Sequence, residues 1–108
     1  MLITMLKGKI HGVIVTGADK DYQGSIAIDK DWLDAAGIRP FEQVQVYNVT
    51  NGHRLTTYAI AAEAGSRTVL VNGAAAHRAS PGDKVIIAAY ALMTVDEAPG
   101  WEPKIVLP

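Results

Sequence analysis

Short apolar runs separated by turn residues are the feature that most limits how this chain can fold. Apolar and polar side chains alternate through residues 3–15 and 44–47, as is typical of half-buried β-strands. Asn51-Gly52, between two such runs, is a strong hairpin signal. The chain has 108 residues, 49% of them hydrophobic, which suits one packed domain. The sequence therefore predicts a single mainly β domain over residues 1–108, folded as a closed or nearly closed β-barrel with small helices.

The turn signals also predict where the elements begin and end. A helix is predicted over residues 30–36, with Asp29 as its N-cap and Gly37 as its C-terminal stop. Residues 17–21 are polar and predict a loop, and residues 72–77 predict a tight turn with one helical turn. The run at 85–89 lacks alternation, which indicates a strand covered on both faces and favours a homo-oligomer. Strands are predicted within residues 1–16 and at 25–28, 44–47, 55–62, 68–71, 84–93 and 105–107.

Charge and composition exclude several classes of function. Ten Lys and Arg against eleven Asp and Glu give a formal net charge of −1, so a nucleic-acid partner is disfavoured, including for a DNA-binding β-barrel module. The absence of cysteine excludes disulfides, thiol catalysis and cysteine metal sites. The three histidines match no familiar metal spacing, so no metal is expected. The longest apolar run is about half a membrane span, and the N-terminal lysines follow the apolar stretch, unlike a secretory signal. We expect a cytoplasmic protein that binds no membrane.

A few cations could bind a small dianion. Lys9 and His11 share a face if this segment is extended, and Arg54, Thr56 and Tyr58 share a face of a later strand. A cleft with Lys9, His11 and Arg54 would suit a dicarboxylate, because arginine binds a carboxylate through two parallel bonds. The alternative is that these are scattered surface cations.

The tyrosines of the strands admit a structural interpretation as well. Tyr58 could pack against its neighbours, as Tyr47 and Tyr90 are expected to do. In the same way, Thr57 could reflect β-propensity, and Asn72-Gly73 could be present for its turn.

Gly24-Ser25 is a second candidate for chemistry. In a strained backbone, a serine hydroxyl can attack the carbonyl of the preceding residue, and the resulting ester can eliminate and hydrolyse to leave a pyruvoyl group. Glycine before the serine permits unusual backbone angles and leaves the carbonyl open to attack. Such a ketone is an electron sink for amine chemistry. The alternative is an ordinary loop dipeptide.

The sequence resembles the aspartate 1-decarboxylase family along essentially its whole length. The most specific segments are NVTNG at 48–52, TTYAI at 56–60 and VNGAAAH at 71–77, together with KIH at 9–11 and YQGS at 22–25. The resemblance implies a double-psi β-barrel that assembles as a homotetramer with active sites between subunits. It implies a pyruvoyl-dependent enzyme that converts L-aspartate to β-alanine and CO2 for pantothenate biosynthesis. Self-cleavage between Gly24 and Ser25 would give a β chain of residues 1–24 and an α chain of residues 25–108.

The resemblance also implies roles for individual residues. Ser25 would become the pyruvoyl cofactor, whose ketone condenses with the substrate amine, and Tyr58 would protonate the carbon that loses the carboxylate. Lys9 and Arg54 would bind carboxylates. Thr57 would steady the Gly24 carbonyl during self-cleavage and contact substrate. Backbone N–H groups for the ligand would come from Gly73, Ala74 and Ala75, and supporting roles would fall to His11, Tyr22 and Asn72.

The chain departs from many relatives at Gly12, Gly17 and Ile26 and in its short C-terminus. These departures remove no catalytic group. They could change the local conformation of residues 12–17 and the rate or completeness of cleavage. The alternative function is that of an uncleaved member acting as a scaffold or binding module. Self-cleavage could also involve a maturation factor as a partner.

Overall fold

The computed structural model describes residues 1–21 and 24–108, and it confirms the predicted mainly β class. The helix α1 (Lys30–Ala36) lies where the sequence predicts it, and a 3-10 turn spans Gly73–His77. The strands are β1 (Leu2–Ile14), β2 (Gly17–Asp19), β3 (Ile26–Asp29), β4 (Gln43–Asn48), β5 (Arg54–Ala62), β6 (Val69–Asn72), β7 (Lys84–Thr94) and β8 (Lys104–Val106).

The loop predicted over residues 17–21 is wrong in part. Gly17–Asp19 forms β2, which pairs in parallel with β6. A three-residue strand with no apolar alternation leaves no local signal, since its hydrogen bonds are made to a segment about fifty residues away.

The strands close into a small β-barrel because β1 and β2, which are consecutive in the chain, lie at opposite sides of the strand order. The strands follow the order β2-β6-β3-β5-β4-β7-β1-β8. After β1, Val15 donates its backbone N–H to Asp83 and Thr16 donates to Val69, and the chain then continues into β2. The continuous segment β1–β2 thus pairs with β7 on one side and with β6 on the other, which closes the ring and confirms the predicted barrel.

The barrel interior is filled by branched apolar side chains from all the main strands. Alternate positions of each strand point inward, as the pleat requires. The residues without solvent exposure include Ile10, Ile28, Val46, Val71 and Ile87. The opposite faces of β4, β5 and β7 remain accessible in the protomer, and they carry most of the polar side chains discussed below.

Helix α1 is anchored at its start by the buried Asp29. Its carboxylate accepts backbone N–H bonds from Asp31, Gly65 and Arg67 at 2.8–3.0 Å. Burial opposes ionisation of this group most strongly, but the three N–H bonds outweigh it together, so the pKa of Asp29 lies below its usual range. Gly37 ends the helix at φ +70°, a conformation that favours glycine. Within residues 1–21 and 24–108, no helix is long and apolar enough to cross a membrane.

Candidate active site

Gly24 and Ser25 form a strained corner at the start of β3. Gly24 has φ +68° and Ser25 has φ +80°. A left-handed backbone costs an L-residue about 1–2 kcal/mol, and residues held this way concentrate at functional sites. Ser25 is only 2% exposed. The structure therefore stores backbone strain at a buried serine.

Two neighbouring strands bring predicted site residues to this corner. β3 lies between β5 and β6, with Ile26 opposite both Ala59 and Val71. Asn72, at the end of β6, donates its backbone N–H to the Ser25 carbonyl at 3.0 Å. On the other side, a Cβ built on Gly24 would lie 3.9 Å from the Tyr58 hydroxyl oxygen, so the phenol of Tyr58 lies beside Gly24.

The Asn72 side chain adds an unmatched polar atom beside the serine. Asn72 is 1% exposed, and within the described part of the chain its Oδ1 has no hydrogen-bond partner. Buried polar atoms are nearly always paired, so this one marks a position for a polar group. Because Oδ1 is an acceptor, it suits an N–H or O–H donor of a ligand and not a carbonyl oxygen. The fit of a pyruvoyl group to this corner depends instead on the buried, strained Gly24-Ser25 peptide.

The other residues predicted for this corner lie on the 3-10 turn after Asn72 and on β5. Gly73, at φ +64°, begins the 3-10 turn immediately after Asn72. Gly73 is buried, Ala75 half-buried and Ala74 exposed, so the turn runs from the corner to the surface. Thr57 precedes Tyr58 on β5 and is half-buried on the opposite face of the strand. Tyr22 lies outside the described residues.

Lys9, His11 and Arg54 share one outer face of the sheet. Cross-strand pairing joins Arg54 to Tyr47, Tyr47 to Ile86, and Ile86 to His11. The next row joins Thr56 to Gln45, Gln45 to Ala88, and Ala88 to Lys9. Paired residues of antiparallel strands project to the same side, as the sequence predicts for Lys9 with His11 and for Arg54 with Tyr58.

Strand order separates these cations within one protomer. Arg54 and His11 lie three strand spacings apart, about 14 Å measured along the sheet, and the same separation holds between Thr56 and Lys9. The sequence predicts the shared face but not the strand order, which sets this distance.

Arg54 is held against an aromatic side chain that sequence reasoning assigned to packing alone. Its guanidinium carbon lies 4.5 Å from the centroid of the Tyr47 ring, within cation–π range. The Tyr47 hydroxyl is hydrogen-bonded to that of Tyr90 at 2.9 Å. This bond, with burial, raises the pKa of Tyr47. The hairpin signal does not reveal the pair, because a two-residue Asn51-Gly52 turn would set Val49 opposite Arg54, whereas the observed connection spans residues 49–52 and sets Tyr47 there.

The hairpin that carries Arg54 is anchored by the buried Asn48. Its Oδ1 accepts the backbone N–H groups of Thr50 and Asn51, and its Nδ2 donates to the Arg78 carbonyl and to the Asp83 carboxylate. The Asn48 bond, together with the Ser80 N–H, lowers the pKa of Asp83. One side chain thus connects the β4–β5 turn to the segments on either side of residue 80.

Two open cavities meet at Tyr47. One, of about 450 Å³, is lined by Thr4, Gln43, Gln45, Tyr47, Ala88 and Tyr90. The other, of about 300 Å³, is lined by residues of the hairpin, including His53 and Arg54. Among residues 1–21 and 24–108, no group of three or more His, Asp or Glu side chains could hold a metal ion.

The chain is a small, mainly β protein with a strained, buried serine at its candidate site. A sequence model of the aspartate decarboxylase family matches residues 1–108. The aspartate 1-decarboxylase of Thioalkalivibrio sulfidiphilus (strain HL-EbGR7) is 58% identical over 106 residues, which cover 98% of this chain and 84% of that protein. The chain belongs to the aspartate decarboxylase family, as the resemblance of its motifs predicts.

Proposed function

We propose that this protein decarboxylates L-aspartate to β-alanine and CO2, as a lyase of pantothenate biosynthesis, using a pyruvoyl group made from Ser25. Family membership supports the reaction. The observation that carries the proposed cofactor is the strained, buried Ser25 at φ +80° directly after Gly24. Strain at this peptide raises its ground state and so favours its cleavage.

The proposed maturation begins with attack of Ser25 Oγ on the Gly24 carbonyl carbon. The C–N bond breaks as the ester bond forms, and the amine of residue 25 is released. Loss of the Cα proton then expels the Gly24 carboxylate from Cβ, and the resulting dehydroalanine is hydrolysed by water to pyruvoyl and ammonia. Thr57 would stabilise the oxyanion that develops on Gly24. The products would be a β chain of residues 1–24 and an α chain of residues 25–108.

The residues around Ser25 would hold the substrate and move its proton. The pyruvoyl ketone supplies an electron sink for the substrate amine when present. Tyr58, whose hydroxyl lies near Gly24, is the proposed acid that delivers a proton to the α-carbon. Asn72 and the backbone N–H groups of Gly73, Ala74 and Ala75 would bind polar groups of the ligand at the same corner.

Arg54 is the proposed ligand for a substrate carboxylate, and Lys9 and His11 would serve the same ligand from a neighbouring subunit. The three strand spacings between these two groups on one protomer, about 14 Å along the sheet, support this arrangement, since this length exceeds the reach of either side chain. We propose a homotetramer with intersubunit active sites, located in the cytoplasm, with no nucleic acid or membrane partner. A maturation factor could act on the rate of cleavage.

Denaturing mass spectrometry tests the proposed maturation. The purified chain, held for hours near 37 °C, should give two fragments split after Gly24, with the larger lighter than residues 25–108 by the conversion of serine to pyruvoyl. Ser25→Ala is the matched control and should stay intact and inactive. A decarboxylating protein that consists of one intact chain would refute the proposal. An intact, inactive wild-type chain would favour the alternative of a scaffold or binding module.

A further inference from the structure

The Arg54 guanidinium is ordered mainly by the Tyr47 ring beneath it. The separation is 4.5 Å from the guanidinium carbon to the ring centroid, and the two residues are directly opposite in the β4–β5 ladder. Within residues 1–21 and 24–108, the ion pairs are Lys7–Glu42 and Lys30–Asp34, so no carboxylate there neutralises Arg54. An exposed arginine without an acidic partner is available to an external anion.

The Tyr47 ring is itself fixed at both ends. Its Cβ belongs to β4, and its hydroxyl is bonded to the Tyr90 hydroxyl of β7 at 2.9 Å. Tyr47 lies opposite Ile86, four residues before Tyr90 on the same face of β7, so the ring leans along the sheet to make this bond. This bond, with burial, raises the pKa of Tyr47, whose phenol is in any case neutral at physiological pH. The two tyrosines form a rigid surface across β4 and β7.

Stacking on this surface orients the arginine without using its hydrogen-bond donors. A guanidinium that stacks on a ring through its face keeps its N–H groups, which lie in the guanidinium plane, available for a carboxylate. An arginine already held in its binding geometry loses less conformational freedom when the ligand arrives.

We propose that Tyr47, fixed by Tyr90, is a positioning residue that presents the Arg54 guanidinium to the substrate carboxylate. This inference rests on the proposed role of Arg54. It assigns the aromatic pair to ligand affinity rather than to the chemical step, because the pair acts through the arginine.

Substitution at position 47 separates the ring from its hydroxyl. Tyr47→Leu removes the stack and should raise KM for L-aspartate about two- to fivefold, the loss expected for an exposed cation–π contact, with kcat unchanged within twofold. Tyr47→Trp should restore KM, and Tyr47→Phe should have a smaller effect than Tyr47→Leu. The matched control is Trp32→Leu, which removes the other stacked pair, Arg67 on Trp32 at 5.5 Å, and should leave KM unchanged.

A double-mutant cycle tests whether Tyr47 acts through Arg54. In an Arg54→Ala background, Tyr47→Leu should cause no further rise in KM. An equal rise in both backgrounds would overturn the inference, because the tyrosine would then act independently of the arginine. An unchanged KM in Tyr47→Leu, with folding verified by circular dichroism, would overturn it as well, and Tyr47→Val, which also lacks a ring, provides the same comparison if the leucine variant does not fold.

Calorimetry with succinate distinguishes this inference from the proposed function. Succinate has two carboxylates and no amine, so its dissociation constant reports carboxylate binding without turnover. Weaker succinate binding in Tyr47→Leu supports the inference even if the wild type fails to release β-alanine, a result that refutes the proposed function alone. Equal succinate binding in the two proteins would refute the positioning role.

Discussion

Replacing Asn48 by alanine should destabilise the protein far more than replacing its neighbour Asn51. The Asn48 side chain is 3% exposed and makes four hydrogen bonds. Thr50, Asn51 and Arg78 are exposed, so their backbone groups regain water when the side chain is removed. At about 0.5–1 kcal/mol for each bond, Asn48→Ala should lose about 2–4 kcal/mol.

Asn51→Ala is a closely matched control. The Asn51 side chain also donates to the Arg78 carbonyl, at 3.1 Å, and accepts the His53 N–H at 2.8 Å. Because Asn51 is exposed, water replaces both bonds, and the expected loss is below about 1 kcal/mol. Both substitutions are asparagine to alanine, and each removes one of the two side-chain bonds to the Arg78 carbonyl, so their difference isolates the contribution of the buried network.

The assay is urea unfolding followed by circular dichroism, at one protein concentration because an oligomer's stability depends on it. The midpoint for Asn48→Ala should fall clearly below that for Asn51→Ala, with similar m-values. The KM for aspartate should rise in the folded Asn48→Ala protein, since the hairpin that carries Arg54 loses its anchor. Equal midpoints for the two variants would refute the reasoning that burial makes the Asn48 network the stronger one.

Three other predictions concern separate parts of the molecule. Tyr58→Phe should still cleave after Gly24 but lose most turnover, because the phenol proton is missing; normal turnover in a product-release assay would exclude Tyr58 as the acid. The lowered pKa of Asp29 adds stability that is present above its ordinary value of 3.8 and lost as pH falls through the folded pKa. The difference in urea midpoint between wild type and Asp29→Asn should therefore shrink as pH falls below 3.8. A difference that stays constant would contradict the stabilising role of the ionised Asp29 carboxylate. Gly8→Ala would bring a Cβ into a clash with the Ala36 carbonyl oxygen, so it should cost about 3 kcal/mol or more. A Cβ at Gly52 meets open space, so Gly52→Ala should cost only about 1–2 kcal/mol of left-handed strain. Similar losses of stability for the two variants in thermal unfolding would argue against the clash.

The sequence predicts the local elements well because their signals are local. Alternating side chains mark β1 and β4, and Asp29 and Gly37 mark the two ends of α1. β2 escapes prediction because its pairing with β6 depends on the closure of the whole barrel. Local patterns carry no information about such distant partners.

The candidate site also has features that the sequence predicts and features that only the fold determines. The resemblance identifies Ser25 and Tyr58, and the structure brings the Tyr58 phenol to the Gly24-Ser25 corner. The left-handed φ of Ser25 is not visible in the sequence, because serine has no special preference for it and the surrounding fold imposes it. The distance between Lys9 and Arg54 likewise depends on two intervening strands, β4 and β7.

The segment that closes the barrel has a consequence for how a processed molecule would survive denaturation. Residues 1–24 would include all of β1 and β2, which are hydrogen-bonded to β7, β8 and β6, so the shorter fragment would remain threaded through the molecule as an integral wall. Its loss would split the ring open along its full length. A protein cut after residue 24 would therefore refold by association of two polypeptides, and its refolding yield should rise with protein concentration. The uncut precursor would instead fold its barrel from one chain.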